Sequence, residues 1–254
     1  MESIMTNPFK GDKEKLAKMN FRQKVDYIWT YYKFGFFIFV LAAVIIGSFI
    51  HAQIIYNPDA ITLLLCDTYS EDSQASYDYL NQAFKNHLGL AEDDKDPLSV
   101  DDTISLKASG DSQNTAVMIQ KLVAVIASGG ADLMVLPEDG VAYYADQGYY
   151  ADLQTVLPSG FFNYLKENDL IFEVTETVST DEETGEKTQH TYYGGIRLED
   201  NAYIKNAGII QEKMSAGIVV SSKHMEQTLD FLFMIFDYEP TQSDLAQMET
   251  GNED

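Results

Sequence analysis

The sequence predicts an α/β domain, a mostly parallel sheet with flanking helices plus a β-hairpin, preceded by one transmembrane helix. Three observations predict it. Short apolar runs alternate with amphipathic stretches between Ile61 and Leu136. Two alternating segments flank the turn sequence Asp181-Glu182-Glu183-Thr184-Gly185. Ahead of both, Phe34 to Ile55 runs for twenty-two residues without an Asp, Glu, Lys or Arg.

That apolar run is long enough to span a bilayer, which needs about 20 residues of helix. Basic residues gather on its N-terminal side, with Trp29, Tyr31 and Tyr32 where an interfacial belt belongs. Residues 1–34 hold seven Lys/Arg against four acids, and the remainder holds ten against thirty-six. The charge rule therefore places residues 1–33 in the cytoplasm, residues 34–55 in the lipid bilayer and the rest outside, as a single-pass cell-membrane protein. A cleavable signal peptide is the rival, but the basic region is long for one and no A-x-A site follows. The expected organisation is a basic juxtamembrane segment 1–33, a transmembrane helix 34–55, an extracellular α/β domain 56–238 and an acidic tail 239–254.

Within that domain, Ile61 to Cys66 reads as a buried strand ended by Asp67. Tyr77, Leu80, Phe84 and Leu88 recur at helical spacing over Ser70 to Leu90, with Asp72 or Ser73 as cap and Gly89 as stop. Ala91 to Asp102 is acidic, contains Pro97 and reads as a loop; Thr103 to Lys107 alternates as a second strand. A second helix covers Asn114 to Ser128, stopped by Gly129-Gly130. Ala131 to Leu136 is the third strand, and short helices follow over Asp139–Gln147 and Phe161–Glu167. Phe172–Val178 and Lys187–Leu198 form the hairpin. Ser215–Ser221 is one more strand, and His224–Asp237 a helix with Met225, Leu229, Leu232, Phe233 and Phe236 on one face. The polar end from Glu239 reads as frayed.

Composition excludes some functions. The net charge of −23 makes nucleic acid an unfavourable partner. A single cysteine, Cys66, rules out an internal disulfide and reads as a small buried hydrophobe. No H-x-x-x-H, G-x-S-x-G, Walker loop or G-x-G-x-x-G occurs. Asp93-Asp94-Lys95-Asp96 lacks the glycine and glutamate of a calcium loop. The expectation is a non-enzyme with no cofactor and no metal.

Ligands in open α/β sheets bind beyond the carboxyl ends of the strands. Here those ends are Asp67-Thr68-Tyr69-Ser70, Ala108-Ser109-Gly110-Asp111 and Pro137-Glu138-Asp139. They supply the candidate ligand-facing residues Asp67, Tyr69, Ser109, Asp111, Glu138 and Asp139. The same residue types also make ordinary turns. Tyr143, Tyr144, Tyr149 and Tyr150 suit either stacking on a sugar or peptide or covering a sheet edge.

A family resemblance enters with Gly129-Gly130-Ala131-Asp132-Leu133-Met134-Val135-Leu136-Pro137 and the segment Gly148-Tyr149-Tyr150-Ala151-Asp152-Leu153. With Tyr193-Gly194-Gly195-Ile196-Arg197-Leu198 and Ala216 to Lys223, these resemble extracellular solute-binding proteins of the type II periplasmic-binding fold. The likeness covers about residues 60–237. Tyr150 stands where leucine is usual, Gly195 is inserted, and Arg197 replaces a proline. The resemblance adds Tyr193 to the candidate residues. It implies a binding module for a small solute, a sugar or peptide. Only Leu198 to Met214 occupies the place of the family's inserted second lobe, too short for a lobe. The alternative role is an accessory subunit of a membrane, transporter-like assembly that contacts a protein partner and binds no small molecule.

Overall fold

The computed structural model describes Asn20, Arg22 and residues 60–106, 112–180 and 187–250. The expected transmembrane helix 34–55, the segment 1–33 and the candidates Ser109 and Asp111 lie outside the described residues. Among those described, no helix is long and apolar enough to cross a membrane.

The chain order is β1 (Ile61–Leu65), α1 (Ser73–Leu88), β2 (Leu98–Asp101), α2 (Ser112–Ala127) and β3 (Leu133–Pro137). Then come α3 (Glu138–Ala145), α4 (Leu153–Val156), α5 (Ser159–Glu167), β4 (Ile171–Thr180) and β5 (Lys187–Arg197). The chain continues with α6 (Ala202–Asn206), β6 (Met214–Ile218), α7 (Met225–Ile235) and α8 (Gln242–Thr250). Six strands form one sheet in the order β2-β1-β3-β6-β5-β4.

The sheet is mixed, which corrects the mostly parallel expectation. β1 pairs parallel with β2 and β3, but β3–β6, β6–β5 and β5–β4 are antiparallel. The reason lies after β3. No crossover helix returns the chain to the starting end, so short helices deliver it to a hairpin, and β6 comes back against β3. Helices cover both faces. On one side Leu63, Leu65, Val135, Ala216 and Ile218 pack with Phe84, Phe161, Phe231 and Leu232. On the other Leu64, Cys66, Met134 and Leu136 pack with Leu122, Ile126, Val141 and Tyr150. Residues alternate between the faces along β1 and β3, as strand pleating requires.

Local chemistry sets most boundaries. Asp72 caps α1 by accepting from Ala75 N at 3.1 Å, and Gly89 stops it in the left-handed region at φ 68°. β2 forms at Leu98–Asp101, inside the segment expected as a loop, and not at Thr103–Lys107. Leu98 N donates to the buried Asn81 Oδ1 at 3.0 Å, and Leu98 side chain joins the core. Asp101 then accepts from Thr103 N at 2.9 Å, which turns the chain out of the ladder. The tail expected to fray instead forms α8. Asp244 and Thr241 exchange hydrogen bonds across the helix start, and Asp244 also accepts from Gly160 N of α5 at 3.0 Å.

One buried carboxylate ties the parallel half to the rest. Asp132, 1 % exposed, accepts from Thr62 N at 2.7 Å and Ser222 Oγ at 2.6 Å. His224 Nδ1 lies 3.1 Å from its Oδ2. A buried carboxylate persists only when such donors replace water, so β1, β3 and the turn into α7 are joined at one point.

The hairpin is registered with β6 only at Ile196↔Ala216 and Arg197↔Ser215. Beyond those pairs the Tyr149–Ala151 segment takes over the β6 edge. Ala151 N donates to Ile218 O at 2.9 Å and Val220 N to Tyr149 O at 3.0 Å. Glycines make the crossing possible. A Cβ on Gly195 would stand 2.1 Å from the Phe172 ring, and one on Gly217 would stand 2.2 Å from the Tyr150 ring.

Candidate functional site

At the end of the sheet where β3 and β5 terminate and β4 and β6 begin, the surface opens into a cleft of about 600 Å³. Its lining comes from Pro137, Glu138, Asp139 and Ala142 on one side, Phe172 and Glu173 on a second, and Gln211, Glu212 and Lys213 on a third. The antiparallel return of β6 builds it. Pro137 is in register with Met214, so the residues just before β6 lie beside the residues just after β3. Glu138 N donates to Lys213 O at 3.0 Å and fixes that juxtaposition.

Each polar group has a traceable position. Glu138 and Asp139 open α3, where acids complement the helix dipole. Asp139 Oδ1 accepts from Gly140 N at 3.0 Å. Arg197, at the end of β5, reaches over the Phe172 ring at 5.2 Å, with NH2 3.7 Å from Glu138 Oε1 and NH1 3.2 Å from Asp169 Oδ1. NH1 also donates to the carbonyls of Asp169 and Ile171 at 2.9 and 3.2 Å. The guanidinium is thus held in place at the rim. Gln211 Nε2 donates to Cys66 O at 2.7 Å, while its Oε1 is buried without a hydrogen-bond partner.

Behind the cleft, burial pushes the Cys66 thiol up to about 12, with the Asp67 and Asp101 carboxylates adding to the effect. The thiol is fully buried, as the sequence suggests. It is a packing group and not a nucleophile.

The backbone is unusual at this end. Asp67, Asp169 and Lys213 all have left-handed conformations, at φ 57°, 55° and 50°. Aspartate tolerates that region, but lysine has no local compensation and the strain is on the order of 1 kcal/mol. Such strain concentrates at functional sites.

The candidate residues divide. Glu138 and Asp139 line the cleft together. Asp67 lies next to it through the Cys66–Gln211 bond, but its carboxylate holds a loop, accepting from Ser105 Oγ at 2.8 Å and Leu106 N at 2.9 Å. Tyr69 is exposed and exchanges backbone bonds with Ile210, one residue from Gln211. Tyr193 is elsewhere. It packs on the opposite face of the sheet, 5.5 Å from the Phe162 ring and beneath Lys166 Nζ at 4.7 Å. Of the four tyrosines, only Tyr143 is exposed. Tyr144 stacks on Tyr149 at 5.7 Å, and Tyr150 covers the β6 edge.

Phe172, Glu173, Gln211, Glu212 and Lys213 were absent from the candidates. Their signal was the polar run Gln211-Glu212-Lys213 directly before an apolar strand. It becomes informative only once that strand is known to run antiparallel to β3.

The acidic loop after α1 proves to be built around a cation of its own. The Lys85 ammonium, 7 % exposed, donates to Glu92 O at 3.1 Å and Asp94 O at 2.5 Å and pairs with Asp96 at 2.9 Å. Carbonyls and a carboxylate converge there on an ammonium. Among the described residues, no group of three or more His, Cys, Asp or Glu side chains is arranged to hold a metal.

No family model matches this chain, and no curated protein or solved structure matches it either.

Proposed function

We propose that this protein is a membrane-anchored extracellular binding module, holding a ligand in the cleft between β3, β4 and the segment before β6. The cleft itself carries the reading. It has the volume of a small-ligand site, where roughly 300–1,000 Å³ is usual, and lies at the carboxyl end of β3, where α/β sheets place ligands. Phe172 and the carboxylates of Glu138, Asp139, Glu173 and Glu212 line it, and the buried amide oxygen of Gln211, a further lining residue, has no hydrogen-bond partner.

Glu138, Asp139, Glu173 and Glu212 outnumber Lys213, and Arg197 is already tied to Glu138 and Asp169. The lining therefore favours a solute with a cationic group, such as an amine or a basic peptide, over an anionic one. Binding without chemistry fits the arrangement, because the carboxylates are spread around an open cleft and no nucleophile stands beside a base within it. The resemblance to one lobe of a solute-binding protein supports the same role. The charge-free run Phe34–Ile55 supports the anchor.

A thermal-shift panel on the full chain in detergent tests the reading, with amines, basic and acidic peptides, and neutral sugars. The expected result is a raised Tm with the cationic set that Glu173→Gln and Glu138→Gln both diminish. A flat response to every class overturns the ligand role. Recovery of the chain in the soluble fraction of expressing cells overturns the anchor.

A further inference from the structure

The sheet has two edges, and they are finished differently. β2, at one edge, is four residues long, and Asp101 turns the chain away by accepting from Thr103 N at 2.9 Å. β4, at the other, is ten residues long and contains no Lys and no Pro, residues that commonly blunt an exposed edge.

The register says which backbone groups β4 leaves open. Between shifts at Phe172/Glu173 and Thr177/Ser179, pairing with β5 runs unbroken from Glu173↔Tyr193 to Thr177↔Gln189. Thr177 N donates away from β5, to Asp146 Oδ1 at 2.8 Å. Direction alternates along an antiparallel strand, so the N–H and C=O groups of Glu173 and Thr175 also point away from β5. Side chains close the stretch at both ends: Asp146 takes the Thr177 amide, and Arg197 NH1 donates to the Ile171 carbonyl at 3.2 Å. Among the described residues, nothing takes the outward groups of Glu173 and Thr175. The open stretch adjoins the cleft, because Glu173 belongs to both, and Glu138, Asp139 and Glu212 stand on the cleft's other walls.

We propose that the ligand of the cleft is an extended basic peptide, which adds to the sheet as a seventh strand along Glu173–Thr177 and carries Lys or Arg at alternate positions. The strand addition rests on the cleft proposed above as the ligand site and narrows its ligand from any amine to a peptide. In this mode of recognition the main chain supplies affinity, and alternate side chains supply specificity. Successive side chains of an added strand point to opposite faces, so every second one turns toward the cleft. There Glu138, Asp139, Glu173 and Glu212 outnumber Lys213 and select a positive charge.

Charge also rules on the other occupant an open edge invites. A second copy of this chain would bring its own β4, with Glu173 and Glu176, against the same acids, and the chain carries −23. A basic strand meets attraction where a second copy meets repulsion. Length sets the size of the peptide. The five residues Glu173–Thr177 span about 17 Å of strand, so a pentapeptide fills the open stretch.

Calorimetric titration of the full chain in detergent with acetyl-Lys-Val-Lys-Val-Lys-amide tests the inference. Two backbone-methylated versions accompany it, one methylated at the Val amides and one at the Lys amides. A strand presents every second amide to its neighbour, so one version is expected to bind about tenfold more weakly while the other keeps its affinity. Thr175→Pro removes an outward N–H and is tolerable on an edge strand. It is expected to weaken the peptide about tenfold and to leave binding of lysine amide, a small amine, unchanged. Equal binding of the two methylated peptides overturns the strand addition; if Glu138→Gln still weakens both, the cleft stands as a site for cations. Undiminished peptide binding by Thr175→Pro, or equal binding of acetyl-Glu-Val-Glu-Val-Glu-amide, also overturns it. Failure of the peptide and of lysine amide alike removes the cleft reading as well. If the melting curve shows that Thr175→Pro disturbs the fold, the methylated pair decides alone.

Discussion

The two halves of the sheet are held together by opposite means. In β2-β1-β3 the strands are four or five residues long, β1 and β3 are almost wholly buried, and polar side chains close the gaps between them. Asp132 ties β1 to β3, Asn81 meets β2, and Lys85 anchors the loop that leads into β2. The hairpin half has strands of ten and eleven residues, and Lys187 to Thr191 of β5 are exposed. There the deciding feature is missing atoms. Gly194 and Gly195 leave room for Val174 and Phe172. A parallel sheet with buried ends satisfies its polar groups with side chains. A hairpin folded across another layer needs space.

The contrast can be broken, most strongly at Asp132. Asp132→Ala leaves Thr62 N and Ser222 Oγ without an acceptor in the interior. It is expected to cost about 4 kcal/mol in urea unfolding. A loss below about 1 kcal/mol would show that the parallel half does not depend on its polar tie. Gly195→Ala forces a methyl into the Phe172 ring and is expected to cost about 3 kcal/mol. Its signature is loss of amide protection along β4 and β5 ahead of β1 and β3; uniform loss would dissolve the distinction between the halves.

Lys85→Met keeps the apolar stem and removes the ammonium that three loop oxygens surround. It is expected to cost about 2 kcal/mol and to raise protease sensitivity between Ala91 and Asp96. Unchanged cleavage would show that the loop holds itself.

Acid gives the smallest effect. Burial raises the Asp101 carboxyl, but hydrogen bonds from Thr103 and the Lys121 ammonium outweigh it and hold the group below the ordinary aspartate range. A depressed value means that the contribution is present above the unfolded pKa, about 3.9, and is lost as pH falls through the folded value. Exchange protection of β2 should therefore fall below pH 4 relative to β6, and Asp101→Asn should remove that pH dependence. An identical acid profile in the variant would place the sensitivity elsewhere.

The sequence made the alternating elements legible because burial writes itself into spacing. The helices around Leu80 and Phe84, around Leu122 and around Leu229 emerged within a few residues of their ends, and so did the hairpin. Direction was not legible. Nothing in Ser215–Ser221 says whether that strand runs with β3 or against it, since both patterns are continuous apolar runs. The cleft depends on that choice, so Glu138 and Asp139 were found while Gln211 and Glu173 were not. β2 was missed because Leu98 and Val100 follow a proline in an acidic stretch. The end of the chain read as polar because the acid that anchors α8, Asp244, looks the same in sequence whether it meets water or the Gly160 amide.

The handover at the β6 edge has a consequence for how the molecule opens. Beyond Ala216 the edge of β6 is sealed by Tyr149–Ala151 and not by the hairpin, so detaching the hairpin bares only the short Met214–Ala216 stretch of that edge to other chains. The amides of Ala151 and Val220 should then exchange as slowly as the central strands, while most hairpin amides exchange through a cheaper, separate opening. In this molecule, the longest strands close the sheet least.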